Sequence, residues 1–375
     1  MKIARMDVYA FRARVGQTVV TSFSSIPSRA MALVRLEDAD GAHGWGEIWG
    51  NFPPATVEYR ATLAAWALPQ HLIGVEVAAP AAFSAGLAAR LHVLALQADE
   101  PGPIASLVAA TNQALRDLEA RREGLPLRRL LSVGARDRVP AYASGLNPHD
   151  GIDAAARCRE EGYRAFKLKI GFGDDTDRAN MAAIARNLRS GDRLFVDANQ
   201  KWDLDEALRQ AAMLAEFGVG WLEEPMPVDR PAGDWQRLAD ASAIPLAGGE
   251  NMRDMDDFRA ANGWLGIVQP DVGKWGGVDG CLGVARIALD AGRTYCPHWL
   301  SGGIGLLHSA HLLAAAGGDG LLEIDSNENP LRTLLTQSLP PLRDGMFVMN
   351  DEPGIGIDPP LDELHGWLVS HETFH

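Results

Sequence analysis

Cysteine is scarce: Cys158, Cys281 and Cys296 are the only three in 375 residues. They are widely spaced and odd in number. That excludes a disulfide framework or a cysteine-built zinc site and fits reduced thiols in the cytoplasm. No block of lysine and arginine occurs, and the net charge is -14. An acidic chain of this kind is not built for nucleic acid or an anionic membrane, although a local cationic cleft can still take a small anion. The opening stretch "MKIARMDVYAFRARVG" has no apolar core, so no secretory signal is expected. The alanine-rich stretches are broken by Arg, His, Glu, Gly or Pro too often to span a bilayer.

What is present is apolar content, 47% of residues, which is enough for a large core. Residues 1–125 read as an α+β domain. "ALVRLEDADGAHGWGEIW" predicts two strands joined at Asp40-Gly41. "NQALRDLEARREGLPLRRLL" predicts two helices parted by Gly124 and Pro126. From residue 126 to 335 eight short apolar runs alternate with helical patterns, from "VPAYAS" through "AFKLKI", "RLFVDAN" and "GWLEEP" to "LLEID". Eight β/α units argue for a closed parallel barrel over an open doubly wound sheet. Residues 336–375 are turn-rich and are expected to return to the first domain.

The ends of these runs carry the chemistry. They are Lys169, Asp197, Glu223, Glu250, Asp271, His298 and Glu323, at steps of 28, 26, 27, 21, 27 and 25 residues. In a β/α barrel the C-terminal strand ends meet at one mouth, where active sites form. Asp197, Glu223 and Glu250 come from three consecutive strands. Three converging carboxylates repel one another unless a cation joins them or their pKa values rise. Hard oxygen donors without His or Cys suit Mg2+ or Mn2+. Helix N-capping is the alternative role for any one of them.

"AFKLKI" places Lys167 and Lys169 on one face of a strand. Like charges so close lower each other's proton affinity. Lys169 thereby becomes a candidate base for the proton α to a carboxylate, with Lys167 beside the substrate carboxylate. Structural ion pairs with the acids across the barrel are the competing account. A Schiff-base lysine would not need three carboxylate ends. Asp271 next to His298 would orient the imidazole and raise its basicity, giving a second acid/base group on the opposite face. Glu323, if protonated, could bond an enolate oxygen. Asn199 faces the same side as Asp197, and Lys274 could neutralise the carboxylates.

With "KLKIG", "VDANQ", "EEP", "GGEN", "QPDVGKWGG" and "PHW" in this order, the whole chain resembles the enolase superfamily, and within it the mandelate racemase group. The resemblance implies a modified TIM barrel, (β/α)7β, with an α+β capping domain. It also implies Mg2+ on Asp197, Glu223 and Glu250, Lys169 as base with Lys167 as its partner, and His298 with Asp271 as the second acid/base pair. Glu323 would contact the substrate carboxylate. The muconate lactonising group carries a lysine where this chain has Asp271, which disfavours that group. A small carboxylate substrate and a homo-oligomer follow from the same resemblance.

"IGFG", "WLSGGIGLLHSAH" and "SNENPLR" look more like acid-sugar enzymes such as galactarolactone cycloisomerase than like mandelate racemase itself. Acid-sugar dehydration is therefore the expected reaction, with racemisation, epimerisation or lactone cycloisomerisation as alternatives. The family's specificity loops correspond to "TSFSSIPSR" and "WGNFPP", making Phe23, Ile26, Arg29, Trp49 and Phe52 candidate substrate contacts. "NQALRDLEARRE" departs from the family's usual "DxALWDLxGK", a change expected to affect capping-domain packing and not the site.

Overall fold

The computed structural model describes residues 1–20, 24–53, 55–148 and 151–375. Three long strands open the chain: β1 (Ile3–Val20), β2 (Ser25–Asp38) and β3 (His43–Ile48). β2 and β3 form the expected hairpin, and Gly41 at φ +86 supplies the left-handed turn residue. The helices Thr56–Ala67, Pro80–Gln97 and Pro101–Arg122 cover one face of this sheet. β3 lies almost against the backbone of Pro101–Arg122. A Cβ at Gly46 would sit 2.0 Å from Ala110 O, and one at Gly44 would sit 2.2 Å from Ala114 O. Only glycine allows this approach.

Eight parallel strands follow: β4 (Arg138–Leu146), β5 (Ala165–Lys169), β6 (Arg193–Asp197), β7 (Leu222–Glu223), β8 (Leu246–Gly248), β9 (Ile267–Val268), β10 (Thr294–Tyr295) and β11 (Leu322–Asp325). Among the described residues seven helices alternate with them, so the second domain is the modified TIM barrel (β/α)7β. The sheet curls in the order β10-β9-β8-β7-β6-β5-β4-β11. The described residues show no ladder between β10 and β11. Cys296 Sγ accepts the Leu321 N–H there at 3.3 Å. Beyond the barrel, β12 (Met346–Val348) pairs antiparallel with β4, and β13 (Leu368–Phe374) pairs with β1.

Alternation along the strands sorts the barrel into layers. Phe166, Leu168, Leu194 and Val196 belong to the large core under the helices. Ala165, Phe195, Trp221, Ile267, Cys296 and Leu321 form a separate plug with Tyr142 and Ala247. Phe195 and Trp221 stack at 3.5 Å, and Tyr142 meets both edge-on. Two residues beyond plug members stand Lys167, Asp197, Glu223, His298 and Glu323. Same-face periodicity thus seats an ionic layer directly on an aromatic floor. Gly249 at φ +130 breaks the period after β8 and lets Glu250 join the layer.

Candidate active site

Every site residue predicted within the described residues reaches the barrel mouth or the domain seam above it; Phe23 lies outside the described residues. Lys167 is fully buried. Its Nζ bonds Glu223 Oε1, lies 2.7 Å from Glu323 Oε1 and 3.8 Å from Asp197 Oδ2. Lys169 Nζ donates to Asp197 Oδ2 at 2.6 Å. Trp221 Nε1 and Gln269 Nε2 donate to Glu223 Oε2 at 3.2 and 2.7 Å. His298 Nδ1 meets Asp271 Oδ2 at 2.7 Å, and its Nε2 lies 2.5 Å from Glu250 Oε2. Lys274 Nζ donates to Glu250 Oε1 at 2.9 Å.

Two expectations need correction. The neighbouring Lys167, together with nearby Mg2+, was expected to lower the pKa of Lys169, and Lys167 alone does not. Burial and Lys167 do push it down, but the abutting Asp197 outweighs them and the pKa is raised. Lys169 is thus ion-paired with Asp197 on the adjacent strand, and Lys167 with Glu223 and Glu323. Glu323 was considered as a protonated donor. Burial opposes ionisation, yet Lys167 and His298 pull it down to about 2, so it is a carboxylate. It accepts from Ser144 Oγ at 2.5 Å and Trp299 N at 3.0 Å. Its place is behind Lys167.

The remaining acids are set by the same competition. Burial raises Glu223 to about 7 despite Lys167, with Asp197 and Glu323 adding to the rise. Burial would also raise Glu250, but His298 and Lys274 hold it well below the usual range. His298 is penalised by burial yet raised well above its ordinary value by Glu250 and Glu323.

A cavity of about 140 Å³ opens over this layer. Lys169, Asn199, Glu250, Lys274 and His298 form its barrel side, and Ile26, Arg29, Trp49 and Phe52 reach it from the capping domain. Arg29 is not free there. Its Nη2 lies 2.5 Å from Asp325 Oδ2, and its Nε donates to Glu328 O at 3.1 Å. Trp49 lies under the Lys274 ammonium, 4.6 Å from ring centre to Nζ. Asn199 Nδ2 donates to Asp197 at 3.1 Å, while its Oδ1 is buried without a partner.

The sequence reading missed Glu224, Gln200 and Asn251, which also line the cavity. Glu224 accepts from Asn251 at 2.8 Å and Gln200 at 3.2 Å, and burial beside Glu250 raises its pKa well above the usual range. By strand alternation Glu224 should face away from the mouth. Positive φ values at Glu224 (+38), Asn199 (+47) and Gln200 (+62) turn these residues back. The doubled acid in "EEP" was the available signal.

Among the described residues, no three His, Cys, Asp or Glu side chains are grouped so as to hold a metal ion. Asp197, Glu223 and Glu250 each face a cationic side chain instead. The donor chemistry nevertheless fits a hard divalent cation. Six acids, Asp197, Glu223, Glu224, Glu250, Asp271 and Glu323, are met by only four cations, Lys167, Lys169, Lys274 and His298, and the raised pKa values of Glu223 and Glu224 absorb the excess of carboxylates that a divalent cation would otherwise balance.

Comparison with known proteins shows the family. Residues 5–132 match the family described as mandelate racemase / muconate lactonizing enzyme, N-terminal domain, and residues 151–363 match enolase C-terminal domain-like. D-Galactarolactone cycloisomerase of Agrobacterium fabrum is 28% identical over 97% of this chain and 98% of its own length. D-Galactonate dehydratase of Pectobacterium atrosepticum is 28% identical over 91% of each. A mandelate racemase/muconate lactonizing enzyme structure from Bordetella bronchiseptica superposes with TM-score 0.92 at 45% identity, covering 98% of this chain and 99% of that one. A Streptomyces coelicolor racemase structure with bound magnesium gives TM-score 0.87 at 29% identity, covering 98% and 100%. No described helix is long and apolar enough to cross a membrane. The chain belongs to the mandelate racemase/muconate lactonizing enzyme family, within the enolase superfamily of isomerases and lyases.

Proposed function

We propose that the protein removes the proton α to the carboxylate of a small acid, through an enediolate, and that the reaction is dehydration of an acid sugar. The observation that carries the reading is the sharing of one cavity by Lys169 and His298, with Asp271 bonded behind the imidazole. Asp197, Glu223 and Glu250 are the residues to hold Mg2+, with Mn2+ as a substitute. Bound there, the ion supplies positive charge against the substrate carboxylate and the negative charge that develops on it.

Lys169 takes the proton from carbon 2 once Asp197 no longer holds it as an ammonium. Lys167, braced by Glu323, keeps a positive charge beside the reacting carboxylate. His298 donates a proton to the hydroxyl on carbon 3, which leaves as water. The enol so formed tautomerises to a 2-keto-3-deoxy acid. Asn199 Oδ1 is the free acceptor for a substrate hydroxyl, and Ile26, Arg29, Trp49 and Phe52 bound its far end. The full-length likeness to a cycloisomerase supports a second reading, in which the α-proton abstraction is the same and the leaving group is a lactone oxygen. We further read the protein as a cytoplasmic homo-oligomer.

Proton NMR in D2O with Mg2+ and a panel of hexarates, aldonates and small 2-hydroxy acids tests this. Loss of the α-proton signal with a keto-deoxy product establishes dehydration. Exchange without loss of water replaces it with racemisation or epimerisation. No exchange on these acids or their lactones refutes α-proton abstraction from acid sugars.

A further inference from the structure

Asp271 and His298 sit on separate loops, joined to each other by an isolated bridge. Both loops are tied to the capping domain by residues outside the catalytic set. Glu47, on β3, is fully buried. Its Oε1 accepts the Gly302 N–H at 2.6 Å and its Oε2 accepts the Gly305 N–H at 2.9 Å. A capping-domain carboxylate therefore caps the barrel helix Gly303–Ala316, which begins five residues after His298. Trp299 completes that loop through Nε1, which donates to Gly302 O at 2.7 Å.

Gln113, on the helix Pro101–Arg122, secures the other loop. Its Oε1 accepts the Glu47 N–H at 3.1 Å. Its Nε2 donates to Glu47 O at 3.1 Å and to Val272 O at 3.0 Å, one residue after Asp271. The two loops also interlock at the Trp299 ring. A Cβ at Gly273 would lie 2.7 Å from that ring, and one at Gly305 would lie 2.0 Å from it.

We propose that Glu47 and Gln113 are positioning residues that set the Asp271–His298 pair from the capping domain. Docking of the cap and alignment of the dyad are then one event. Their effect falls on the His298 side of the site alone, because Lys169 and Asp197 are paired on β5 and β6, away from this brace. The catalytic consequence rests on the proposed role of His298; the positioning itself does not.

Crystal structures of Glu47→Gln and Gln113→Met in the full chain test it, together with Tm and deuterium exchange on the acid panel. Gln at 47 puts an amide N–H against one of the two backbone donors. Met at 113 removes the Val272 tie and the two bonds to the Glu47 backbone but leaves the Glu47 carboxylate on Gly302 and Gly305, so it remains readable if the first variant fails to fold. The expected result is a His298–Asp271 contact displaced beyond hydrogen-bond reach while Lys169–Asp197 stays paired. Exchange through His298 should fall about 100-fold, with Lys169-side exchange within about twofold of wild type. Unchanged dyad geometry with only a lower Tm overturns the proposal, as does an equal loss on both faces. If wild type exchanges no acid, the functional reading fails while the crystal geometry still decides this one.

Discussion

Lys167 joins Glu223 to Glu323 across the barrel, at 2.7 Å from Glu323, with no side-chain surface exposed. Removing one partner of such a buried set leaves an uncompensated charge. Lys167→Met is therefore expected to cost about 3–5 kcal/mol of stability. Lys167→Arg, which keeps the charge but needs more room, should cost less. Urea unfolding midpoints of the two variants check the order.

Lys169→Met should abolish α-proton exchange on one substrate face, a loss of about 10²–10⁴ in rate. Mg2+ binding should persist, because the Asp197 carboxylate is freed and not removed. Exchange surviving on both faces would show that Lys169 is not the base. NMR in D2O reads the first outcome and isothermal titration calorimetry the second.

Glu250→Gln removes a proposed direct ligand and should weaken Mg2+ binding by more than the roughly 10–100-fold that the loss of an outer hydrogen-bond partner costs. The same substitution removes the negative charge facing His298 and Lys274. Calorimetric titration with the metal alone is sufficient, and wild-type affinity as poor as the variant's would argue against the assigned ligands.

Burial pushes His308 down to about 4 and His311 down to about 3. His308 Nε2 is 2.9 Å from Trp45 O, and His311 Nδ1 accepts the Arg128 N–H at 3.0 Å. Both stay neutral in the fold, while the unfolded chain takes up protons below about pH 6.5. The folded state then binds fewer protons, so stability falls as pH drops from about 6.5 towards 4 and 3. Each histidine accounts for up to about 3–5 kcal/mol of that loss, at about 1.4 kcal/mol per pKa unit. His308→Gln should flatten the dependence between about pH 6.5 and 4.5, measured by urea denaturation at each pH.

Gly46→Ala should destabilise by about 1–3 kcal/mol, because the added methyl meets backbone and not a movable side chain. Gly41→Ala is the contrast. It has open space around it and only the left-handed φ to resist, at about 1 kcal/mol. Thermal melts of the pair should preserve that order.

The barrel was legible because its chemistry obeys a period of two. Phe195 and Asp197, Trp221 and Glu223, and Cys296 and His298 share faces of their strands, so the plug and the ionic layer are both written in the spacing. Glu224 and Gln200 were not legible because a backbone turn at positive φ, which alternation does not predict, decides where they point. The ionisation of Lys169 and Glu323 was misjudged because it depends on which neighbour is nearest in space, Asp197 for one and Lys167 for the other. Gln113 lies in the helix whose departure from the family pattern was expected to stay clear of the site. Its side chain reaches Val272 O beside Asp271, a contact between residues 159 apart in sequence.

The pairing of β13 with β1, Met6 opposite Phe374, has a consequence for biosynthesis. The ribosome makes the residues of β13 more than 350 residues after the β1 residues they pair with. Throughout that interval the outer edge of β1 carries unpaired backbone groups, a template for pairing with other nascent chains. The barrel can assemble meanwhile, but the capping sheet gains its fourth strand only when Leu368–Phe374 leaves the exit tunnel. Truncation within Leu368–Phe374 would therefore fall on a strand made more than 350 residues before it.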